Sequence, residues 1–595
     1  MSHFDPSRLE KVRRVLKDER LDAWIMSITD PYLSEYVAPH WQSVHWLTGF
    51  SGSAAVICIT PTEAALFTDS RYWIQAEKEL QGTPFEVVRS GSPQAPTPME
   101  WLKSKKTAID RIGYAKHLWS LDQIDQFRLS LGSEQRLLAH DDVIDLAWTV
   151  DRPCQPINPI EPLSLPLIQV PTKLANLRNA LKSDRLSAMC VTALDEIAWL
   201  IDCRGNDIPY NPVFLARMIV TLSEARLYTE VERLSPQLVG ALENVGVTLH
   251  SPQIFVDDLK VLAKEHKFLL DWKHQTMAIK EYLGDNFGRR ESPILNLKRL
   301  KSSEEYEGIQ KAMLSDGVAL VEFYAELDER LANHETLTEL DLVKMIDRQR
   351  AKGHNCCGNS FGTIVAFGPN AALPHYSPKE ESNATLTNGL LLIDSGGQYL
   401  TGTTDITRMT GIGQVSEAMK NDVTHVLKSM IALAACKVPV GTSGAQLDAI
   451  ARQPLWALGL DFGHGTGHGV GYRLNVHEGP FHISPRAIAS GENGLQAGQL
   501  VSDEPGIYRP GQWGVRIENL IFAKRSTDKT PFGEFLGFEV MTLCPIDTRI
   551  LNTEHMTARE LAWLNDYHAD VYTKLSQCAL SPRAHHWLTE RTKRI

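Results

Sequence analysis

The sequence predicts an α/β chain of mixed α+β character, in which two copies of one α/β domain precede a larger domain that carries the chemistry. Three observations predict it. A phrase near the N-terminus, LEKVRRVLKDERLDAWIM (Leu9–Met26), returns as LANLRNALKSDRLSAMCV (Leu174–Val191). Arg13/Arg178, Leu16/Leu181, Lys17/Lys182, Arg20/Arg185, Leu21/Leu186 and Ala23/Ala188 all align at one offset of 165 positions. From about residue 298 helical and strand-like periods alternate to the end. Within that stretch, between Leu391 and Glu518, two acid-bearing hairpins recur about a hundred residues apart.

Each copy opens with an amphipathic helix and a short strand; in the first, Leu9, Val12 and Leu16 share one helical face. Each then shows an aspartate and a Trp-Leu pair, Asp30 with Trp46–Leu47 and Asp195 with Trp199–Leu200. The first copy continues with strands at Ala54–Ile59 and Ala64–Thr68, a helix from about Arg71 to Leu80 and a strand at Phe85–Arg89. RPCQPINPIEPLSLP (Arg152–Pro166) reads as the linker. The expected domains are residues 1–155, 156–297 and 298–595. The period is far too long for a stacked solenoid, so this is domain duplication. In the second copy a strand is expected at Arg217–Thr221 and a helix at Val256–Lys264, with an end near Pro293–Leu297. A long helix then starts at Ser302 or Ser303, with Glu304 and Glu305 in its first turn, where the helix dipole favours acids. The last expected helix opens at Met556–Thr557, Thr557 and Glu560 being spaced as a capping box.

Composition narrows the function. Its 43% hydrophobic and 22% charged residues over 595 positions are ordinary for a soluble globular protein. Its 72 acids against 61 bases, a net charge of −11, argue against nonspecific nucleic-acid binding. No apolar run approaches the ~20 residues that cross a bilayer, and the N-terminus has no signal core. Nine cysteines without framework spacing suit a reducing compartment, so a cytoplasmic location is expected.

The chemistry lies in three segments. In LLIDSGGQYLTGTTDITR, Asp394 and Asp405 stand eleven positions apart, each ending a strand-like run (Gly389–Ile393, Thr403–Thr407), with a turn expected at Gly396–Gly397. In LVSDEPGIYRPGQWGVRIENL, Glu504 ends an apolar run, Pro505–Gly506 breaks it, and Glu518 falls in the next run, Val515–Phe522. Between them FGHGTGHGVGYRLNVHEGP holds His464, His468 and His477. Glycines at 463, 465, 467, 469 and 471 forbid a helical zinc pair, so His464 and His468 lie on one face of an extended segment. Four carboxylates sharing an apolar site need cations. Oxygen ligands with an imidazole suit Mn²⁺, Co²⁺ or Zn²⁺, and two bridging acids would let a few ligands hold a metal pair about 3.5–4 Å apart with a bridging hydroxide between them. That is a hydrolase centre. Arg516, two residues before Glu518, reads either as a group orienting a carboxylate or as a plain salt bridge. His354–Asn355–Cys356–Cys357 lacks a CxxC partner and reads as buried thiols.

These segments, with HYSP around His375, TDSRYW and TALDEIAWLIDCRGNDIPYNPVF, resemble the pita-bread metallopeptidases of family M24, and within them the three-domain X-prolyl aminopeptidases. The resemblance implies two creatinase-type N-terminal domains followed by a pita-bread catalytic domain with a C-terminal extension. It implies Asp394, Asp405, His468, Glu504 and Glu518 as ligands of two divalent ions, Mn²⁺ before Zn²⁺ or Co²⁺. Glu504 would also move the proton. His375 and His477, imidazoles suited to stabilise an oxyanion or shuttle protons, would hold the substrate and the tetrahedral intermediate. His464 would line the pocket, Tyr508 and Val476 would wall the proline ring, and Arg71, as a bare residue a surface salt-bridge donor, would reach the far end of the cleft. The implied partners are peptides with proline second and a second copy of the chain, met through the C-terminal domain. A prolidase and a noncatalytic pita-bread binding protein are the alternative readings.

Overall fold

The stripe Leu9–Val12–Leu16 closes a helix, α1 (Pro6–Asp18), onto a sheet. Asp5 caps it by accepting the N–H of Ser7 at 2.9 Å, and Pro6 stands where no donor is needed. Six strands follow: β1 (Ala23–Ser27), β2 (Val56–Ile59), β3 (Ala64–Thr68), β4 (Phe85–Arg89), β5 (Arg111–Ala115) and β6 (Arg136–His140). Their order is β4-β3-β2-β1-β5-β6, antiparallel across β3-β2-β1 and parallel on both flanks.

The second copy repeats this layout. Helix α2 (Val170–Ser183) leads to β7 (Ala188–Val191), β8 (Arg217–Thr221), β9 (Ala225–Tyr228), β10 (Thr248–His250), β11 (Phe268–Leu270) and β12 (Phe287–Arg289). The order β10-β9-β8-β7-β11-β12 carries the same senses of pairing. Leu16 and Leu181 are both buried. Arg20 and Arg185 turn the chain from helix to strand with φ of 56° and 57°. Even a side-chain bond recurs: Arg13 Nε donates to the Thr60 carbonyl at 3.1 Å, and Arg178 Nε to the Thr221 carbonyl at 3.0 Å.

The structure, a computed structural model, describes residues 4–105, 109–353, 355–380, 382–527 and 530–595. It falls into two compact units, Met1–Ile294 and Leu295–Ile595. One expectation in the first unit needs correction. The helix expected from Arg71 starts at Trp73, because Asp69 takes the backbone N–H of Arg71 at 3.1 Å and closes a turn first. Within the proline-rich linker Glu161–Pro162 pairs with Cys203–Arg204.

In the second unit α3 (Ser303–Ala332) starts at a capping box: Ser302 Oγ accepts from Glu305 N, and Glu305 accepts from Ser302 N at 2.9 Å. Helix α4 (Glu339–Ala351) follows, then β13 (Ile364–Phe367) and β14 (Gly389–Ser395). The run LLLI in β14 is apolar throughout because the strand is covered on both faces. Leu390 and Leu392 join the core of α5 (Glu417–Ala434) and α6 (Gly444–Trp456), whereas Leu391 and Ile393 meet Phe323 of α3 and Leu342 and Ile346 of α4. The C-terminal part adds α7 (Ala558–Leu575) with the expected Thr557–Glu560 box. A further helix, α8 (Pro582–Arg591), lies beyond the one expected to be last; Ser581 caps it and Pro582 opens it. Among the described residues no helix is long and apolar enough to cross a membrane.

One buried histidine of α7 sets a pH response. His568 is 1% exposed and its Nε2 accepts the N–H of Ile546 at 3.1 Å. Burial, with the Arg408 charge nearby, lowers its pKa from 6.5 to about 4. The unfolded chain therefore takes up this proton at higher pH than the folded chain. The group's stabilisation is complete above about pH 6.5 and is lost as pH falls to about 4, by roughly 3 kcal/mol. Urea unfolding across this range should show that loss in the wild type, with a shallower slope in His568→Gln. Equal slopes would contradict it.

Candidate metal centre

The two acid-bearing hairpins share one construction, more elaborate than the simple turns expected. Strand β14 pairs not with its immediate successor but with β17 (Ile406–Ile412), Asp394 facing Thr407 and Ser395 facing Ile406. Between them the chain makes an excursion through a small hairpin, β15 (Gly397–Tyr399) and β16 (Gly402–Thr403). The second hairpin repeats this. Strand β20 (Leu500–Asp503) pairs with β23 (Asn519–Arg525), Asp503 facing Asn519, while β21 (Gly506–Arg509) and β22 (Trp513–Arg516) form the excursion. Each excursion is flanked by two acids. Asp394 lies at the end of β14 and Asp405 just ahead of β17; Glu504 follows β20 and Glu518 precedes β23. Gly396 is therefore not a turn glycine. A Cβ there would lie 2.1 Å from the Thr404 carbonyl oxygen and 2.2 Å from Ser360 Oγ, so close approach demands glycine.

The hairpins are tied together across the site. The N–H of Glu518 donates to the Thr407 carbonyl at 3.1 Å, and Thr407 Oγ1 donates to Glu518 Oε2 at 2.9 Å. Arg408 Nη1 donates to the Glu518 carbonyl at 2.6 Å. Nothing local in the sequence marks Thr407, expected only as a strand residue, for this role. The glycine-rich segment enters as β18 (Gly467–Gly469), beside β20 and β19 (Glu478–Ile483). His468 donates from Nδ1 to the Gly469 carbonyl at 2.9 Å, which fixes the ring with Nε2 toward the acids. That Nε2 lies 3.5 Å from Asp405 Oδ2 and 3.5 Å from Glu504 Oε1. Ligand atoms of Asp405, His468 and Glu518 all fall within 4.8 Å of one another.

The donor set fits cations. Asp394, Asp405 and Glu518 are buried and Glu504 half-buried. Asp394 Oδ1 and Glu518 Oε1 are buried with no hydrogen-bond partner. Burial raises the Asp394 carboxyl although Arg516 opposes it, and raises Glu518 with Asp405, Glu504 and Asp394 adding to the effect. Burial brings Glu504 to about 7 even with His468 and Arg516 pulling down. For His468, burial works against the charge, yet Asp405 and Glu504 raise it to about 9. Such a site is short of positive charge, and hard divalent ions supply it.

Arg516 ends β22, whereas Glu518 follows in the link to β23, so the two do not share a strand as expected. Its guanidinium nevertheless organises the site. Nη2 donates to Asp394 Oδ2 at 2.6 Å and to the Pro374 carbonyl at 3.2 Å, Nη1 to Tyr508 Oη at 2.7 Å, and Nε to Thr407 Oγ1 at 3.2 Å. His464 Nδ1 donates to the Gly465 carbonyl, so its Nε2 accepts from Tyr508 Oη at 2.8 Å. A chain of contacts thus runs His464–Tyr508–Arg516–Asp394. The His477 ring stands edge-on to His468, centroids 4.4 Å apart. His375 is half-buried between Pro374 and Tyr376, and Val476 is buried inside the fold. Arg71 belongs to the first unit, where Asp69 holds its guanidinium through two bonds of 2.8 Å. The expected buried thiols are a miss: Cys356 is half-buried and Cys357 exposed, because Cys356–Asn359 is the edge strand beside β15. His354 lies outside the described residues.

Over 587 residues the chain is 38% identical to a probable Xaa-Pro aminopeptidase P of Botryotinia fuckeliana, covering 95% of this chain and 89% of that one. Residues 307–525 match metallopeptidase family M24. The chain belongs to metallopeptidase family M24. Residues 8–146 and 151–305 of this M24 peptidase each match the creatinase/prolidase N-terminal domain, and 534–595 match the C-terminal region of M24 peptidases. The crystal structure of an X-prolyl aminopeptidase from Caenorhabditis elegans, a cytosolic enzyme with a di-nuclear active site, superposes with a TM-score of 0.93 at 33% identity, covering 99% of both chains. A Xaa-Pro dipeptidase from Bacillus anthracis shares the fold over 64% of this chain (TM-score 0.51, 23% identity).

Proposed function

We propose that this M24 enzyme is an exopeptidase that releases the N-terminal residue from peptides with proline in second position. The observation that carries the reading is the buried cluster of Asp405, His468 and Glu518, whose donor atoms lie within 4.8 Å of one another, with Glu504 3.5 Å from His468. The full-length likeness to X-prolyl aminopeptidases supports the substrate class. In this reading residues 1–155, 156–297 and 298–595 are the three domains, and the enzyme acts in the cytoplasm as a homodimer formed through the C-terminal domain.

Asp394, Asp405, His468, Glu504 and Glu518 would hold two divalent ions, Mn²⁺ in the first instance. When bound, such ions polarise a carbonyl and acidify water. The remaining work falls to the chain. Glu504 takes a proton from the attacking water and delivers it to the prolyl nitrogen as the C–N bond breaks. Expelled as an anion that nitrogen would be a very poor leaving group, so it leaves only once protonated. His477 and His375 donate to the carbonyl oxygen as negative charge grows on it. Arg516 keeps Asp394 in place, and Tyr508, His464 and Val476 shape the pocket for the proline ring.

The test is hydrolysis of Arg-Pro-Pro, Ala-Pro and Arg-Ala-Pro with added Mn²⁺ and after chelation. Arg-Pro-Pro should give Arg and Pro-Pro only with metal, and Arg-Ala-Pro should stay intact. Cleavage confined to Ala-Pro would make the protein a dipeptidase, and no cleavage at all would refute the enzymatic reading.

A further inference from the structure

The segment joining β13 to β14, residues 368–388, carries His375, and its described residues form little regular structure beyond one 3-10 turn at Gly368–Ala372. A connection of that length places a side chain accurately only if something holds it. One buried carboxylate holds this one. Glu339, the first residue of α4, is 0% exposed. Its two oxygens accept from the N–H of Phe367 at 2.6 Å, the N–H of Ala384 at 2.7 Å, Tyr376 Oη at 2.8 Å and Asn370 Nδ2 at 3.0 Å. A carboxylate has about four acceptor positions, so this one is saturated, and every partner lies in the segment or at its start.

Glu339 is not needed to begin its helix. Thr338 and Asp341 already form a reciprocal capping box there, with Thr338 Oγ1 accepting from Asp341 N and Asp341 accepting from Thr338 N at 2.9 Å. The backbone adds to the clamp, Glu339 N–H donating to the Ala384 carbonyl at 3.0 Å and Thr338 bridging to Thr385.

The other side of the segment is held from the metal centre. Arg516 Nη2, the nitrogen that grips Asp394, also donates to the Pro374 carbonyl. His375 therefore stands between two anchors, Pro374 fixed by Arg516, and Tyr376 fixed by Glu339 and by the Ser382 carbonyl, which also accepts from its Oη at 2.6 Å. We propose that Glu339 is the positioning residue for His375, fixing the chain on which its imidazole is carried without touching substrate itself. The inference rests on the role given to His375 under Proposed function.

The experiment uses the full-length, Mn²⁺-loaded enzyme and one Xaa-Pro-peptide, with metal content and KM read beside kcat. Glu339→Gln confronts donors with an amide nitrogen and should lower kcat about tenfold, Glu339→Ala about 10²-fold, the cost of displacing a reacting group by about 1 Å. KM and metal content should stay unchanged, and Tyr376→Phe should lose less in the same direction. If Glu339 acts through His375, the double variant Glu339→Gln/His375→Ala should be no slower than His375→Ala alone. Additive losses, or a normal kcat in both Glu339→Gln and Tyr376→Phe, would overturn the proposal while leaving the role of His375 standing. A normal kcat in His375→Ala would instead sink that role, and the positioning claim with it.

Discussion

His477→Ala lowers kcat by about 10²–10⁴-fold and leaves the metal content unchanged: that is the result expected if His477 acts on developing charge rather than as a ligand. Its ring lies against His468, yet Asp405 and Glu504 are the acids that face Nε2 of His468. A group felt mainly in the transition state is read out in kcat. His468→Ala should behave differently, losing metal together with activity. Elemental analysis and steady-state kinetics of both variants on one peptide decide the matter. A His477→Ala enzyme with near-normal kcat, or one depleted of metal as His468→Ala is, contradicts the assignment.

Arg516 should be as intolerant of lysine as of alanine. Its guanidinium serves Asp394, Pro374, Tyr508 and Thr407 at once, which needs the planar fork that a lysine ammonium lacks. Removing a partner of this kind costs about 10–100-fold in metal affinity or activity. Both Arg516→Lys and Arg516→Ala should show such a loss when Mn²⁺ affinity and kcat/KM are measured. Breaking a buried pair also destabilises by about 3–5 kcal/mol, so the metal-free variants should unfold at lower denaturant than the wild type. Full rescue by lysine would reduce Arg516 to a simple counter-charge.

What the sequence made legible was what repeats or has a period. The duplicated half was readable because Leu9, Val12 and Leu16 and their counterparts must face a sheet of the same topology, and because Arg20 and Arg185 make the same left-handed turn. The acids were readable as a set because hard ligands in apolar strands need a cation. How they are brought together was not. The excursions β15–β16 and β21–β22 are too short to show a period, so Gly396 passed for a turn glycine although it answers to the Thr404 carbonyl and Ser360. Contacts such as Arg516 with Pro374, 142 positions apart, or Glu339 with Tyr376 have no local signature at all. Cys357 was misjudged for a related reason, since exposure on an edge strand depends on what does not pair with it.

The most direct measurement of the central claim is anomalous diffraction at the manganese edge from crystals of the full chain grown with Mn²⁺. Two peaks per chain are expected, about 3.5–4 Å apart, lying among the carboxylates of Asp394, Asp405, Glu504 and Glu518 and beside His468 Nε2. A single peak, or two peaks away from these five side chains, would contradict it.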